Sequence, residues 1–171
     1  MRVQIRPVTA EEFPSLVPAL VELLIDTVDE GASLGFLSPV PPPTARRYWL
    51  AVGGDLQAGS RLLIGAFGDG RLAGSGQLVL PSLPNARHRA EVQKLFVART
   101  LRGCGVGAAL MSALHAWARR RGRSLVLLNA RRDVAERFYK PLGYKEVGVI
   151  PGYSLGANGE RVDTVSLYTQ L

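Results

Sequence analysis

Arg102-Gly103-Cys104-Gly105-Val106-Gly107 stands between a strand-like apolar run, Val92 to Val97, and a stretch whose apolar positions Val106, Leu110, Ala113, Leu114 and Trp117 recur at helical spacing. A glycine-rich turn that leaves a strand and opens a helix presents backbone N–H groups with no partner inside the helix, and such groups favour an anion. Glycine at 103, 105 and 107 removes the Cβ atoms that would hold a diphosphate away from the backbone. The loop reads as a diphosphate cradle, against the plainer alternative of a tight turn. It is not the dinucleotide fingerprint, because the matching first strand unit is missing and no acid follows residues 126 to 128 to hold a ribose. It also lacks the Lys-Ser/Thr ending of a triphosphate loop.

Downstream of this loop, Arg119, Arg120 and Arg121 fill the last turn of the helix, where cations suit the dipole. Leu125 to Leu128 reads as a fully buried strand, parallel to Val92–Val97 because a helix connects them, with a right-handed crossover. Asp133 and Glu136 form an acidic version of a capping box for a short fourth helix, which Pro141 and Gly143 end. Tyr144 to Ile150 and Val162 to Leu171 supply the last two strands across a loop, Pro151 to Arg161.

Upstream, apolar and polar residues alternate from Met1 to Pro7 as an edge strand, and Thr9, Glu11 and Glu12 start a first helix that ends near Asp29. Gly31 to Gly35 and prolines 39, 41, 42 and 43 break the chain before a second helix, Thr44 to about Gln57. Arg61 to Phe67 and Leu72 to Leu80 are strands joined at Gly68-Asp69-Gly70, a hairpin signal. Ser82 to Ala90 is a polar loop. Helices alternating with strands in this order make a mixed α/β chain, residues 1–171 forming one domain without repeats or linkers.

Bulk properties narrow the function classes. The chain is long enough, at 171 residues, to bury its own core without staples. The single Cys104 excludes an internal disulfide, and the separated His88 and His115 offer no metal-ligand spacing, so no metal is expected. The longest apolar stretch, Leu16 to Ile25, holds Pro18 and Glu22 and falls short of the ~20 residues that span a bilayer. A cytoplasmic protein with no membrane partner is expected. The net charge of +7 is local: Arg87 to Lys145 carries only Glu91, Asp133 and Glu136 against its many bases, whereas residues 1 to 60 are net acidic. That half should hold a polyanion; no recognition-helix pattern accompanies the charge, and a nucleic acid is not expected.

Arg102-x-x-Gly105-x-Gly107 resembles the acyl-CoA signature of the GNAT N-acetyltransferases, in which Arg or Gln is followed after two residues by Gly and, one further on, by Gly or Ala. Ala135-Glu136-Arg137-Phe138-Tyr139-Lys140-Pro141-Leu142-Gly143-Tyr144 is similar to that family's fourth-helix motif. The resemblance covers essentially the whole chain. It implies a central mixed, mostly antiparallel sheet of about six to seven strands, splayed between strands 4 and 5 and flanked by about four helices. It further implies acetyl-CoA as cosubstrate, held along Leu95, Phe96 and Val97, by Arg102, Gly103, Cys104, Gly105, Val106, Gly107 and Ala108, and by Asn129 and Phe138. Gly31–Phe36, Glu91–Leu95 and Pro151–Tyr153 also look similar to the tabtoxin-resistance type, whose acceptor is a small amino-acid-like antibiotic. That type is expected to carry an aspartate where this chain has Asn129.

Acetylating an amine requires a neutral nitrogen, yet an alkylamine with a pKa of about 10.4 is mostly protonated at neutral pH. Glu91 is the best-placed base, acting directly or through a water, and His88 is its rival. Tyr139 matches the family's helix-four tyrosine and would protonate the departing thiolate, a backbone N–H near Phe96 would hold the carbonyl oxygen, and the plainer reading of Phe138 and Tyr139 is core packing. Cys104 beside Arg102 is a nucleophile or redox candidate, or else a small filler. The expected function is direct acetyl transfer in a ternary complex to a primary amine of a small molecule. A protein N-terminus or lysine is the alternative acceptor, and a CoA-binding module without catalysis is the alternative of another class. A homodimer is compatible with the chain, whose sequence does not define its oligomeric state.

Overall fold

The alternation at the N-terminus forms β1 (Val3–Pro7), which pairs antiparallel with β2 (Arg61–Gly68). The computed structural model describes residues 3–156 and 158–171; Met1 and Arg2, where the alternation begins in the sequence, lie outside them, as does residue 157 of the loop expected after Pro151. Thr9 and Glu12 close a reciprocal cap ahead of α1 (Phe13–Asp29): Glu12 N donates to Thr9 Oγ1 at 3.2 Å, and Thr9 N donates to Glu12 Oε1 at 3.1 Å. Helix α2 (Pro42–Gln57) begins two residues before Thr44, because proline in a first helical turn forfeits no hydrogen bond.

Strand β2 turns into β3 (Arg71–Val79) through Asp69 and Gly70, both at positive φ (48° and 79°), as a two-residue hairpin of matching twist requires. Then follow β4 (Arg89–Val97), α3 (Val106–Arg120), β5 (Leu125–Arg131), β6 (Lys145–Leu155) and β7 (Arg161–Gln170). All seven strands lie in one sheet in the order β1-β2-β3-β4-β5-β7-β6. Every pairing is antiparallel except β4 with β5. That parallel pair is in register only at Arg89↔Leu125, Ala90↔Val126 and Glu91↔Leu127. Beyond those positions the two strands part, which is the expected splay.

Two apolar cores cover the two faces of the sheet. Leu110, Met111, Leu114 and Ala118 of α3 pack on Ile64, Leu78, Val92, Val126 and Leu167. On the other face, Leu20, Leu24 and Val28 of α1 and Trp49 and Val52 of α2 pack on Leu63, Phe67 and Phe96. Burying a side chain of this size stabilises by roughly 1.5–3 kcal/mol.

Several boundaries differ from the sequence reading. Strand β4 starts at Arg89, inside the segment read as a polar loop, because Ala90 is fully buried and starts the ladder with β5. Strand β5 is not buried throughout: Val126 and Leu128 are buried, whereas Leu125 and Leu127 are only half-buried and Asn129 is exposed. The Asp133–Glu136 box does not form. Arg131 occupies the cap position of α4 (Arg132–Val134), so Asp133 already sits in the first turn, where it pairs with Arg131 and Arg137, and Glu136 pairs with Lys140. The fourth helix continues as a π turn, Ala135–Tyr139, and a 3₁₀ turn, Lys140–Leu142. The loop read at Pro151 is shorter than expected, because β6 and β7 shift register after Ile150 and resume pairing at Ser154↔Val162.

Candidate active site

The cleft begins where the sheet is irregular. Opposite Ser75 and Gln77 of β3 stand Phe96 and Gln93 of β4, so β4 carries one more residue than its partner over that interval. Such a bulge puts two neighbouring side chains on one face. Ala90, Val92, Leu95 and Val97 belong to the α3 core, while Phe96 belongs to the α1/α2 core and Glu91, Gln93 and Lys94 line the cleft on that side. Lys94 takes up the distortion at φ 48°. Glycine is required opposite it: a Cβ on Gly76 would stand 2.9 Å from Leu95 Cδ1 and 3.0 Å from Leu114 Cδ1.

The cleft has a volume of about 740 Å³. Its walls are the α1–α2 connection (Glu30 to Leu37), Glu91 to Leu95 of β4, Asn129 to Arg131 of β5, Tyr139, and Tyr153 to Leu155 of β6. Arg102 lies at its edge. The structure thus brings Glu91, Leu95, Arg102, Asn129 and Tyr139 together, from four separate segments: β4, the loop before α3, β5 and the π turn.

Glu91 sits inside β4 rather than at its entry, paired with both Val79 and Leu127. Its Oε1 accepts a hydrogen bond from Gln93 Nε2 at 3.0 Å. Gln93 Oε1 accepts in turn from Arg61 Nη1 at 3.2 Å, and Arg61 also donates to Gln77 Oε1 (2.5 Å) and pairs with Asp55 (2.9 Å). Tyr48 Oη donates to the same Gln77 oxygen at 3.0 Å. A half-buried polar chain therefore fixes the Glu91 carboxylate from behind and leaves the cleft side open. His88, the rival base, is exposed outside the cleft, where its backbone carbonyl accepts hydrogen bonds from Ser124 and Leu125.

Tyr139 is 8% exposed and lies edge-on to Phe138 and Tyr144, with ring centroids 4.9 and 5.7 Å away. It satisfies both readings at once, since the ring belongs to the α3 core and also lines the cleft. Burial pushes its phenol pKa up to about 12, so it remains a proton donor throughout the neutral range. Tyr144 is raised further by burial, and its hydroxyl lies 2.8 Å from His115 Nε2, whose pKa is lowered by burial and then by Arg119. Phe138 is half-buried and does not line the cleft; it supports Gly107, where a Cβ would stand 3.2 Å from its ring.

The loop before α3 is built as the glycines suggest. Gly103 and Gly105 both adopt φ 78°, and a Cβ at either would meet nothing within 4 Å, so open space faces the backbone there. The first helical bond of α3 runs from Ala109 N to Gly105 O, leaving the amides of Val106, Gly107 and Ala108 without helical acceptors. The Arg102 guanidinium has partners within the protein. Its Nε donates to Val97 O at 2.9 Å and its Nη2 pairs with Glu30 at 2.6 Å, so it ties the loop to β4 and to the end of α1. Cys104 is exposed beside Gly105 and Val106, its Sγ 3.7 Å from Arg102 O. Asn129 accepts from Ser166 Oγ at 2.8 Å.

Lys94, Gln93, Arg61 and Glu30 had no role in the sequence reading. Two polar residues in succession, Gln93-Lys94, interrupt the alternation of β4 and are the local signal of the bulge. The pairings of Arg61 and Glu30 are tertiary and have no such signal.

A parallel strand pair that parts beside a glycine-rich helix start, with a carboxylate and a phenol on one cleft, defines an acyl-transferase type of fold. Residues 25–144 match the model of the acetyltransferase (GNAT) family, and the chain belongs to that family. An uncharacterized N-acetyltransferase encoded in the hisH-hisA intergenic region of Azospirillum brasilense is 32% identical over 130 residues, 72% of this chain and 76% of the relative. An uncharacterized N-acetyltransferase of Methanocaldococcus jannaschii is 38% identical over 69 residues, which span 39% of this chain and only 30% of that relative's length. The Salmonella typhimurium protein yncA, solved with its cofactor acetyl-CoA, superposes with a TM-score of 0.78 at 19% identity, covering 100% of this chain and 95% of that one.

Proposed function

We propose that the chain acts as one N-acetyltransferase domain that passes an acetyl group from acetyl-CoA to the primary amine of a small, amino-acid-like molecule, by direct transfer in a ternary complex. The observation that carries this reading is the convergence of Glu91 and Tyr139 on a single cleft whose edge is Arg102. A cleft of about 740 Å³ matches small-molecule sites, which span roughly 300–1,000 Å³. The open space in front of Gly103 and Gly105 and the unbonded amides of residues 106 to 108 suit a diphosphate. The cosubstrate supplies an acetyl group activated as a thioester.

Glu91 takes a proton from the acceptor ammonium, directly or through a water, and leaves a nitrogen lone pair free to attack. The nitrogen adds to the thioester carbonyl; as the tetrahedral adduct collapses the C–S bond breaks, Tyr139 gives its proton to the sulfur that leaves, and the second proton shed by the nitrogen restores the phenol. Backbone N–H groups of β4 near Phe96, on the edge where β5 has parted, suit the carbonyl oxygen as it gains charge. Thiol release from acetyl-CoA, measured across small amines and across short peptides with free N-termini, tests the proposal. Small amines should be acetylated and peptides should not; turnover of peptides alone would assign the protein acceptor instead.

A further inference from the structure

The cleft contains a cation that the transfer chemistry above does not use. The β4 bulge turns Lys94 onto the same face as Glu91, which an odd separation along a regular strand would forbid. Its ammonium lies 5.8 Å from the Phe36 ring centre and 5.4 Å from that of Tyr48. No carboxylate among the described residues is within ion-pair distance of it. The other charged groups of the cleft are engaged: Arg102 with Glu30, Arg131 with Asp133, and the Glu91 carboxylate with Gln93. Desolvation and then Arg61 lower the Lys94 pKa, and Glu91, facing it across the same cleft without an ion pair, only partly offsets them.

The geometry points to an acceptor that is an aminocarboxylate, with Lys94 binding the carboxylate while Glu91 receives the ammonium. This assignment rests on the acetyl-transfer reading and adds the substrate class. Two opposite charges on one bulged strand, one at each side of Gln93, complement a zwitterion and discriminate against a neutral or purely cationic amine. The aromatic faces of Phe36 and Tyr48 hold the ammonium in position and carry no negative charge to compete with the incoming carboxylate. Lys94 is thus a specificity-determining residue, with no part in proton transfer.

The experiment compares the common L-amino acids with their amides and with the amines left by decarboxylation, following thiol release from acetyl-CoA. Wild-type protein should prefer acids over matched amides by 10-fold or more in kcat/KM, chiefly through KM, as a charge-assisted hydrogen bond implies. Lys94→Met should collapse that ratio by roughly 10- to 100-fold, and Lys94→Arg should restore most of it. A wild-type ratio near one, or a ratio unchanged in Lys94→Met, overturns the subsite and leaves acetyl transfer standing. Should no amine release thiol, the transfer reading fails by itself, and NMR titration of the wild-type protein still decides the subsite. N-acetylglycine should then shift Lys94 side-chain signals and N-acetylglycinamide should not; equal shifts, or none, overturn it.

Discussion

Replacing Tyr139 with Phe removes one oxygen from a ring that is otherwise held by Phe138 and Tyr144. The hydroxyl makes no hydrogen bond to any described residue, so the fold should lose no more than about 0.5 kcal/mol. Catalysis should lose far more. A positioned acid contributes typically 10²- to 10⁴-fold, which at 1.36 kcal/mol per decade is about 2.7–5.4 kcal/mol of barrier. Single-turnover rapid-quench measurement of thiol release isolates the chemical step from product release. With a phenol pKa of about 12, the wild-type rate should show no loss assignable to Tyr139 below pH 10. The same shift bears on stability. Below the unfolded value of 10.0 the phenol is neutral in both states and the shift costs nothing; as pH climbs from there to about 12 the unfolded chain ionises first, and stability falls by on the order of 2–3 kcal/mol. Tyr139→Phe should therefore flatten the alkaline limb of a denaturation series. Full single-turnover activity in Tyr139→Phe would refute the acid role and leave the residue as packing alone.

Three further outcomes are expected. Gly105→Val forces a β-branched residue to φ 78°, costing roughly 1–2 kcal/mol of stability, and sets its side chain in the open space before the loop, so calorimetry should show acetyl-CoA affinity lost in a protein that still folds. Glu91→Gln should slow transfer most at low pH, where the amine is protonated, and recover partly as pH rises; an unaltered pH profile would place the base elsewhere. Arg102→Lys cannot reach both Val97 O and Glu30; because the ion pair is partly exposed, the loss of stability should stay near or below about 1 kcal/mol by urea denaturation.

Much of this was legible because the controlling patterns are local. The glycine loop, the α3 stripe and the Asp69-Gly70 turn each carry their own backbone requirement, and each lies where the sequence puts it. Glu91 and Tyr139, singled out in the sequence as base and acid, share a cleft, whereas the partners of Arg102 have no local signal. Its guanidinium satisfies Glu30 and Val97 O, partners that only the close of α1 against β4 supplies. Asp133 misled because a capping box is defined by where the helix begins, and β5 runs three residues beyond its apolar run Leu125 to Leu128, to Arg131, which also takes the cap. Lys94 was hidden for a related reason: period-two alternation assigns it to the wrong face, and only the extra residue in β4 corrects that.

The most direct test of acetyl transfer is mass spectrometry of the acceptor after incubation with acetyl-CoA labelled in its acetyl group. Labelled N-acetyl product that forms with wild-type protein, in step with thiol release, and falls at least 10²-fold with Tyr139→Phe is the expected result. Tight acetyl-CoA binding with no labelled product from any amine or peptide would contradict it and make the chain a binding module.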